Sequence, residues 1–286
     1  MGNPTNTAVP ASNGAAGNSR DLARRIRAQA LRMVTRARAS HIGSACSIAD
    51  IVAVLYGGAL DVRPAEPRHP SRDRFLLSKG HACVAVYAAL AEIGFFPREW
   101  LESYGSDGSS LMAHISHHVP GVEFSTGSLG HGLPFGVGKA LAAARSKLDW
   151  RTVVLLSDGE MAEGSNWEAL MFAAHHRLDR LTAIIDYNKL QSLGTVAETL
   201  GLEPLAAKLT AFGWAVREVD GHDHDALHRC LAAGLWSPGK PQALIAHTTK
   251  GKGIPFMEGK VEWHYRSPSP EQLAEALTAL GEAHHA

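Results

Sequence analysis

The sequence predicts an α/β fold, a parallel sheet with helices on both faces. Three observations carry this. Short, mostly apolar runs such as 151–156 (R-T-V-V-L-L) and 181–186 (L-T-A-I-I-D) read as strands buried on both faces. Stretches of helical period separate these runs. A polar cluster follows each run, where ligands of such sheets bind, outside the carboxyl ends of the strands.

Taken in order, residues 1–18 are small, polar and rich in Pro and Gly, so a disordered tail is expected there. A single domain is expected over 19–286. Leu22, Ile26, Ala30, Met33, Val34 and Ala37 recur at helical spacing, with arginines between them. Residues 47–60 read as a second, mostly buried helix capped by Ser47. Prolines bound a loop over 64–70. Strands are then expected at 74–77, 151–156, 181–186, 214–219 and 241–247. Helices are expected at 81–93, 129–147, 165–176, 204–212 and 224–235, and Leu273, Leu277 and Leu280 mark a last amphipathic one.

Composition narrows the function. Lys+Arg and Asp+Glu are both 28, so no basic excess points to nucleic acid or an anionic membrane. Apolar stretches such as 51–60 run about ten residues, where a bilayer span needs about 20. The start lacks a secretory pattern, and Asn6 stands where myristoylation wants Ser or Thr. Cys46, Cys83 and Cys230 are far apart and lack metal spacing, which suits a reducing cytosol. The 16 histidines serve catalysis, ligation or packing, so position decides.

Asp158 and Asn188 each follow a buried strand at the same end of the sheet. Gly159 lets backbone approach a ligand, and one helix plus one strand separate it from Asn188. A carboxylate and an amide oxygen thus arrive from neighbouring strand ends. Such hard donors suit Mg²⁺ or Ca²⁺, and Mg²⁺ fills its shell with phosphate oxygens and water. A diphosphate cofactor is the natural third party. Taken singly, Asp158 and Asn188 read more readily as a helix cap and a turn residue; the joint spacing and the matched strand contexts weigh against that.

The run S-D-G-E-M-A-E-G-S-N-W-E-A-L at 157–170, followed by I-I-D-Y-N-K-L-Q at 184–191, resembles the thiamin diphosphate signature. More narrowly, S-H-I-G-S-A at 40–45, L-L-S-K-G-H-A at 76–82, G-V-E-F-S-T-G-S-L-G at 121–130, T-K-G-K-G at 249–253 and W-H at 263–264 follow the order of transketolases. The resemblance covers residues from about Arg20 onward. It implies a thiamin-diphosphate-binding fold and that cofactor with Mg²⁺, Ca²⁺ or Mn²⁺. Asp158, Asn188 and the carbonyl of Leu190 match its metal ligands, and Gly159 its close-approach glycine. Glu163 matches a buried acidic residue near the subunit boundary. Gly127 and Leu129 match the segment that holds the aminopyrimidine. His81 and His264 match histidines at the diphosphate and reacting carbon, His41 and His114 those that meet sugar hydroxyls. Ser157, Ser128, His131 and Tyr265 depart from the family pattern.

The chemistry agrees. Breaking a carbon–carbon bond beside a ketone needs an electron sink, which a thiazolium cofactor supplies. A hydroxyl must lose a proton and a carbonyl oxygen gain one; histidine, titrating near neutral pH, suits both. The other histidines read more plainly. His117 and His118 are loop residues, since a zinc site at His114 lacks a further ligand. His175 and His176 favour a helix C-terminus. His222, His224 and His228 read as surface or cap residues, His284 and His285 as tail.

Transketolases carry three domains, and this sequence resembles only the first. The resemblance therefore implies a split enzyme, its C-terminal subunit supplying the pyrimidine-binding domain in an α₂β₂ assembly, or else a fragment. The amphipathic helix and short polar tail at the end favour a natural subunit. Sugars or sugar phosphates are the implied substrates. Three alternatives remain: another thiamin diphosphate enzyme, resembling deoxyxylulose-phosphate synthase or an oxoacid dehydrogenase; a non-catalytic subunit of the same fold; and, weakest, a metal-dependent hydrolase built on the His114 cluster.

Overall fold

Five parallel strands form the sheet: β1 (Arg74–Leu77), β2 (Thr152–Ser157), β3 (Leu181–Tyr187), β4 (Ala215–Asp220) and β5 (Gln242–His247), in spatial order β1-β2-β3-β5-β4. The computed structural model describes residues 15–232 and 234–282. Among these the helices are α1 (Ala15–Ala37), α2 (Ile42–Val54), α3 (Cys83–Glu92), α4 (Gly132–Arg145), α5 (Gly164–His175), α6 (Val196–Thr199), α7 (Leu205–Ala211), α8 (His224–Ala232) and α9 (Pro270–Ala279). Alternate strand residues feed two cores. Phe75, Leu77, Val153, Leu155, Ile184 and Leu244 pack under α1, α2, α3 and α8. Leu76, Val154, Leu156, Ala183, Ile185 and Ile245 pack under α4, α5 and α7. Burial on both faces is why the three central strands read as unbroken apolar runs. The small residues of α4 permit close approach: a Cβ on Gly136 would lie 2.4 Å from Val154 Cγ2.

Pairing in register puts Ser157 beside Asp186 and Tyr187 beside His247, so the carboxyl ends share one edge. The polar clusters after β1, β2, β3 and β5 meet there.

Several elements differ from expectation. α1 begins at Ala15, inside the expected tail; residues 1–14, and with them most of that tail, lie outside the described residues, as do His284 and His285. α2 begins at Ile42, five residues before Ser47, and all thirteen of its residues are buried. Ser47 is an interior residue whose hydroxyl donates to Asp186 Oδ1 at 2.6 Å, not a cap. With the π-helical turn Leu55–Ala59 that follows, the stretch Ile42–Ala59 is long and apolar enough to cross a membrane, but 89 % of it is buried inside the fold. β4 is a half-exposed edge strand carrying Arg217 and Glu218, not a buried run. Charges there discourage pairing with another chain.

Candidate active site

Asp186 is the hub of the carboxyl edge. It is fully buried at the end of β3. It accepts from Ser47 Oγ and Lys79 Nζ, each at 2.6 Å, from Asn188 Nδ2 at 2.9 Å, and from Thr248 Oγ1. Burial alone would raise its pKa. The Lys79 ammonium and these hydrogen bonds outweigh that and hold it below the ordinary carboxylate value. The hub thus ties β1, α2, β3 and the segment after β5 into one rigid floor. Lys79→Met strands a buried carboxylate. It is expected to destabilise the chain by about 3–5 kcal/mol in chemical denaturation; a loss under about 1 kcal/mol would mean the pair is dispensable.

The three oxygen donors stand on that floor. Asp158 follows β2 and is buried; its Oδ1 accepts from the Gly159 amide at 2.7 Å and its Oδ2 from the Lys189 amide at 2.5 Å. Asn188 donates to Asp186 and accepts through Oδ1 from the Leu190 amide at 3.0 Å, which fixes which end of the side chain is oxygen. The Leu190 carbonyl accepts from Lys250 Nζ at 3.3 Å. All three residues line one cavity of about 260 Å³. Burial, then the charge of Asp186, pushes the Asp158 carboxyl up to about 7. A buried carboxylate beside an amide oxygen and a carbonyl is a donor set that suits a hard divalent cation. Among the described residues no group of three His, Cys, Asp or Glu could hold a metal ion, so a zinc site at His114 does not form. A Cβ at Gly159 would meet Gln191 Cγ at 3.0 Å, so this backbone faces the cavity wall closely.

Four histidines form the opposite wall. The His41 ring lies 5.0 Å from those of His81 and His264 and 5.9 Å from that of His114. His41 precedes α2 with φ 75°, a left-handed conformation that histidine enters more readily than most residues. Its amide donates to the His264 carbonyl at 2.8 Å. His81 Nε2 lies 3.1 Å from Ser44 Oγ, and His264 Nδ1 is 3.0 Å from Lys250 Nζ. Gly127 and Leu129 complete the lining, and His114 and Gly127 are exposed.

The near-neutral titration expected of these histidines does not hold for three of them. Burial foremost, with the charges of Lys79 and Lys250, lowers His41 to about 4 and His264 to about 3. Burial and Lys79 also lower His81. At neutral pH all three are uncharged, each with one N–H to donate and one lone pair to accept. Ring-nitrogen NMR should show His41 and His264 neutral down to pH 5; a midpoint near 6.5 at His41 would contradict its enclosure. The sign for stability follows. The unfolded chain takes up protons below about 6.5 that the folded cluster refuses until lower pH, so this contribution falls with acidification. Asp158, raised to about 7, acts with the opposite sign.

Glu163 is exposed on the single chain, at the start of α5. Within the chain the buried acidic residue of this segment is Glu160, which accepts from Ser78 Oγ and from the amides of Gly130 and Ser157. The 3₁₀ turn Gly159–Ala162 points it inward and leaves Glu163 beyond the turn. His222 and His224 are not free surface or cap residues. Both bind Asp50, at 2.7 and 3.0 Å, and Arg27 donates to both oxygens of Asp50. His222 Nε2 accepts from the Thr249 amide at 2.8 Å, next to Lys250. Sequence reading also missed roles for Ser44, Lys79, Gln191, Ser192, Lys250 and Tyr265, which line the cavity. Lys79 and Lys250 did lie in the strand-end clusters, and that was the available signal.

Fold and site together define a cavity at the carboxyl edge of a parallel sheet, with oxygen donors on one wall and histidines on the other. The chain belongs to the transketolase family: residues 18–285 match its thiamine diphosphate binding domain. It is 43 % identical over 256 residues to one subunit of the apulose-4-phosphate transketolase of Phocaeicola vulgatus, covering 90 % of this chain and 91 % of that subunit. It is 40 % identical over 256 residues to a 6-deoxy-6-sulfo-D-fructose transketolase subunit of a Clostridium species, covering 89 % and 93 %. The structure of Leishmania mexicana transketolase superposes with a TM-score of 0.88 at 30 % identity, covering 92 % of this chain but 41 % of that one.

Proposed function

We propose that this chain is the N-terminal subunit of a split transketolase. It moves a two-carbon ketol unit from a ketose or ketose phosphate to an aldose, together with a separate C-terminal subunit in an α₂β₂ assembly. The observation that carries this reading is the convergence of three oxygen donors and four histidines on one cavity. Relatives of matching length that are named as subunits support it.

When bound, thiamin diphosphate supplies the electron sink for breaking a carbon–carbon bond beside a ketone. Asp158, Asn188 and the Leu190 carbonyl hold the divalent cation, Mg²⁺ or else Ca²⁺ or Mn²⁺. Lys79, Lys250 and His81 surround the diphosphate end with positive charge and N–H donors. Gly127 and Leu129 support the ring. His41 and His114 bind sugar hydroxyls as neutral hydrogen-bonding groups, and His264 with His81 moves protons at the reacting end. Glu163, exposed, faces the partner subunit. The cysteines Cys46, Cys83 and Cys230 are free, which suits a reducing cytoplasm.

A coupled ketol-transfer assay tests this. The chain alone is expected to show no turnover, and turnover is expected once a candidate pyrimidine-domain subunit is added. Robust transfer by the chain alone would refute the split-enzyme reading.

A further inference from the structure

A second cleft lies between the end of α1 and the segment leading into α9. It has a volume of about 840 Å³, and Arg32, Arg36, Arg38 and Arg266 line it with no carboxylate among the lining residues. In a chain of zero formal charge this is a marked local excess. The side chains of Arg32 and Arg38 make no ion pair or hydrogen bond among the described residues. Arg36 reaches only the Leu101 carbonyl, at 3.4 Å, and Arg266 pairs with the exposed Glu262.

Complementing the negative end of α1 would account for Arg36 and Arg38. It does not account for Arg32, one turn earlier, or for Arg266, which comes from another segment. Guanidinium groups with free N–H donors are the chemistry that recognises phosphate.

We propose that this cleft binds a phosphorylated small molecule, in a site separate from the cofactor cavity. Its volume is within the range of small-ligand sites, about 300–1,000 Å³. Its walls run directly into the active site. Arg38 lies three residues before His41 and Arg266 two after His264, and the His41 amide is bonded to the His264 carbonyl. An anion held between the two segments would brace the backbone that carries both histidines. The site is therefore placed to act as an effector site.

Titration calorimetry with inorganic phosphate tests this, on the full chain alone and on its complex with the partner subunit, against sodium chloride at matched ionic strength. One saturable site is expected in both, at least tenfold weaker in the Arg32→Gln/Arg38→Gln double variant. Neither arginine has a partner to lose, so the variant should keep the thermal stability of the parent. Three results would overturn the proposal. Phosphate could act no more strongly than chloride. The double variant could bind phosphate unchanged, which places the ion at Lys79 and Lys250 instead. Binding could vanish in the complex, which makes the cleft a subunit contact. None of these outcomes bears on ketol transfer itself, so this proposal fails or stands separately from the proposed function.

Discussion

Asp158→Ala is expected to abolish metal-dependent binding of thiamin diphosphate by the reconstituted enzyme. The substitution removes a hard ligand and the charge that balances the cation. Losing even an outer-shell partner of a metal site costs about 10–100-fold in affinity, so losing the ligand itself should cost at least the upper figure. The fold should survive. Asp158 is held by two backbone amides, those of Gly159 and Lys189, and neither belongs to a strand. Its carboxyl, raised to about 7, also gives the metal-free chain little to lose. Calorimetry with and without EDTA, partner present, reads the result. Unchanged cofactor affinity would remove Asp158 from the site.

His264→Ala and His81→Ala are expected to lower kcat of the assembled enzyme by about 10²–10⁴-fold, the usual cost of a positioned acid–base group. Both rings face the cavity, and the backbone carbonyl of His264, which holds His41, is untouched by the change. The melting temperature should therefore move by only a few degrees. Full activity of His264→Ala on any ketose would end its assignment. The exposed Tyr265, where the family pattern has glycine, would then be the first place to look.

Much of the fold, and the meeting of Asp158, Asn188 and Leu190 on one cavity, is legible in the sequence. Strands buried on both faces leave an unbroken apolar signature, and β2 and β3 therefore announce Asp158 and Asn188 at their ends. What escapes depends on partners remote in sequence. Ser47 reads as a cap because its acceptor, Asp186, is 139 residues away. His222 and His224 read as superficial because Asp50 comes from α2, on the far side of the chain. Glu160 goes unnoticed because a 3₁₀ turn decides which of two nearby glutamates points into the chain, and such turns carry no periodicity. The depressed histidines follow from enclosure beside two lysines, and enclosure is a property of the assembled fold.

Asp50 has a consequence of a different kind. Arg27, His222 and His224 together give it four hydrogen bonds, filling about the four acceptor sites a carboxylate offers. No site is spare. A replacement at any one of these positions leaves the others with a mismatched donor or acceptor, and a change at His222 also frees the Thr249 amide beside Lys250. Drift through sequence space at this cluster is therefore concerted: the four positions should change together or stay as they are, whichever sugar the enzyme comes to use.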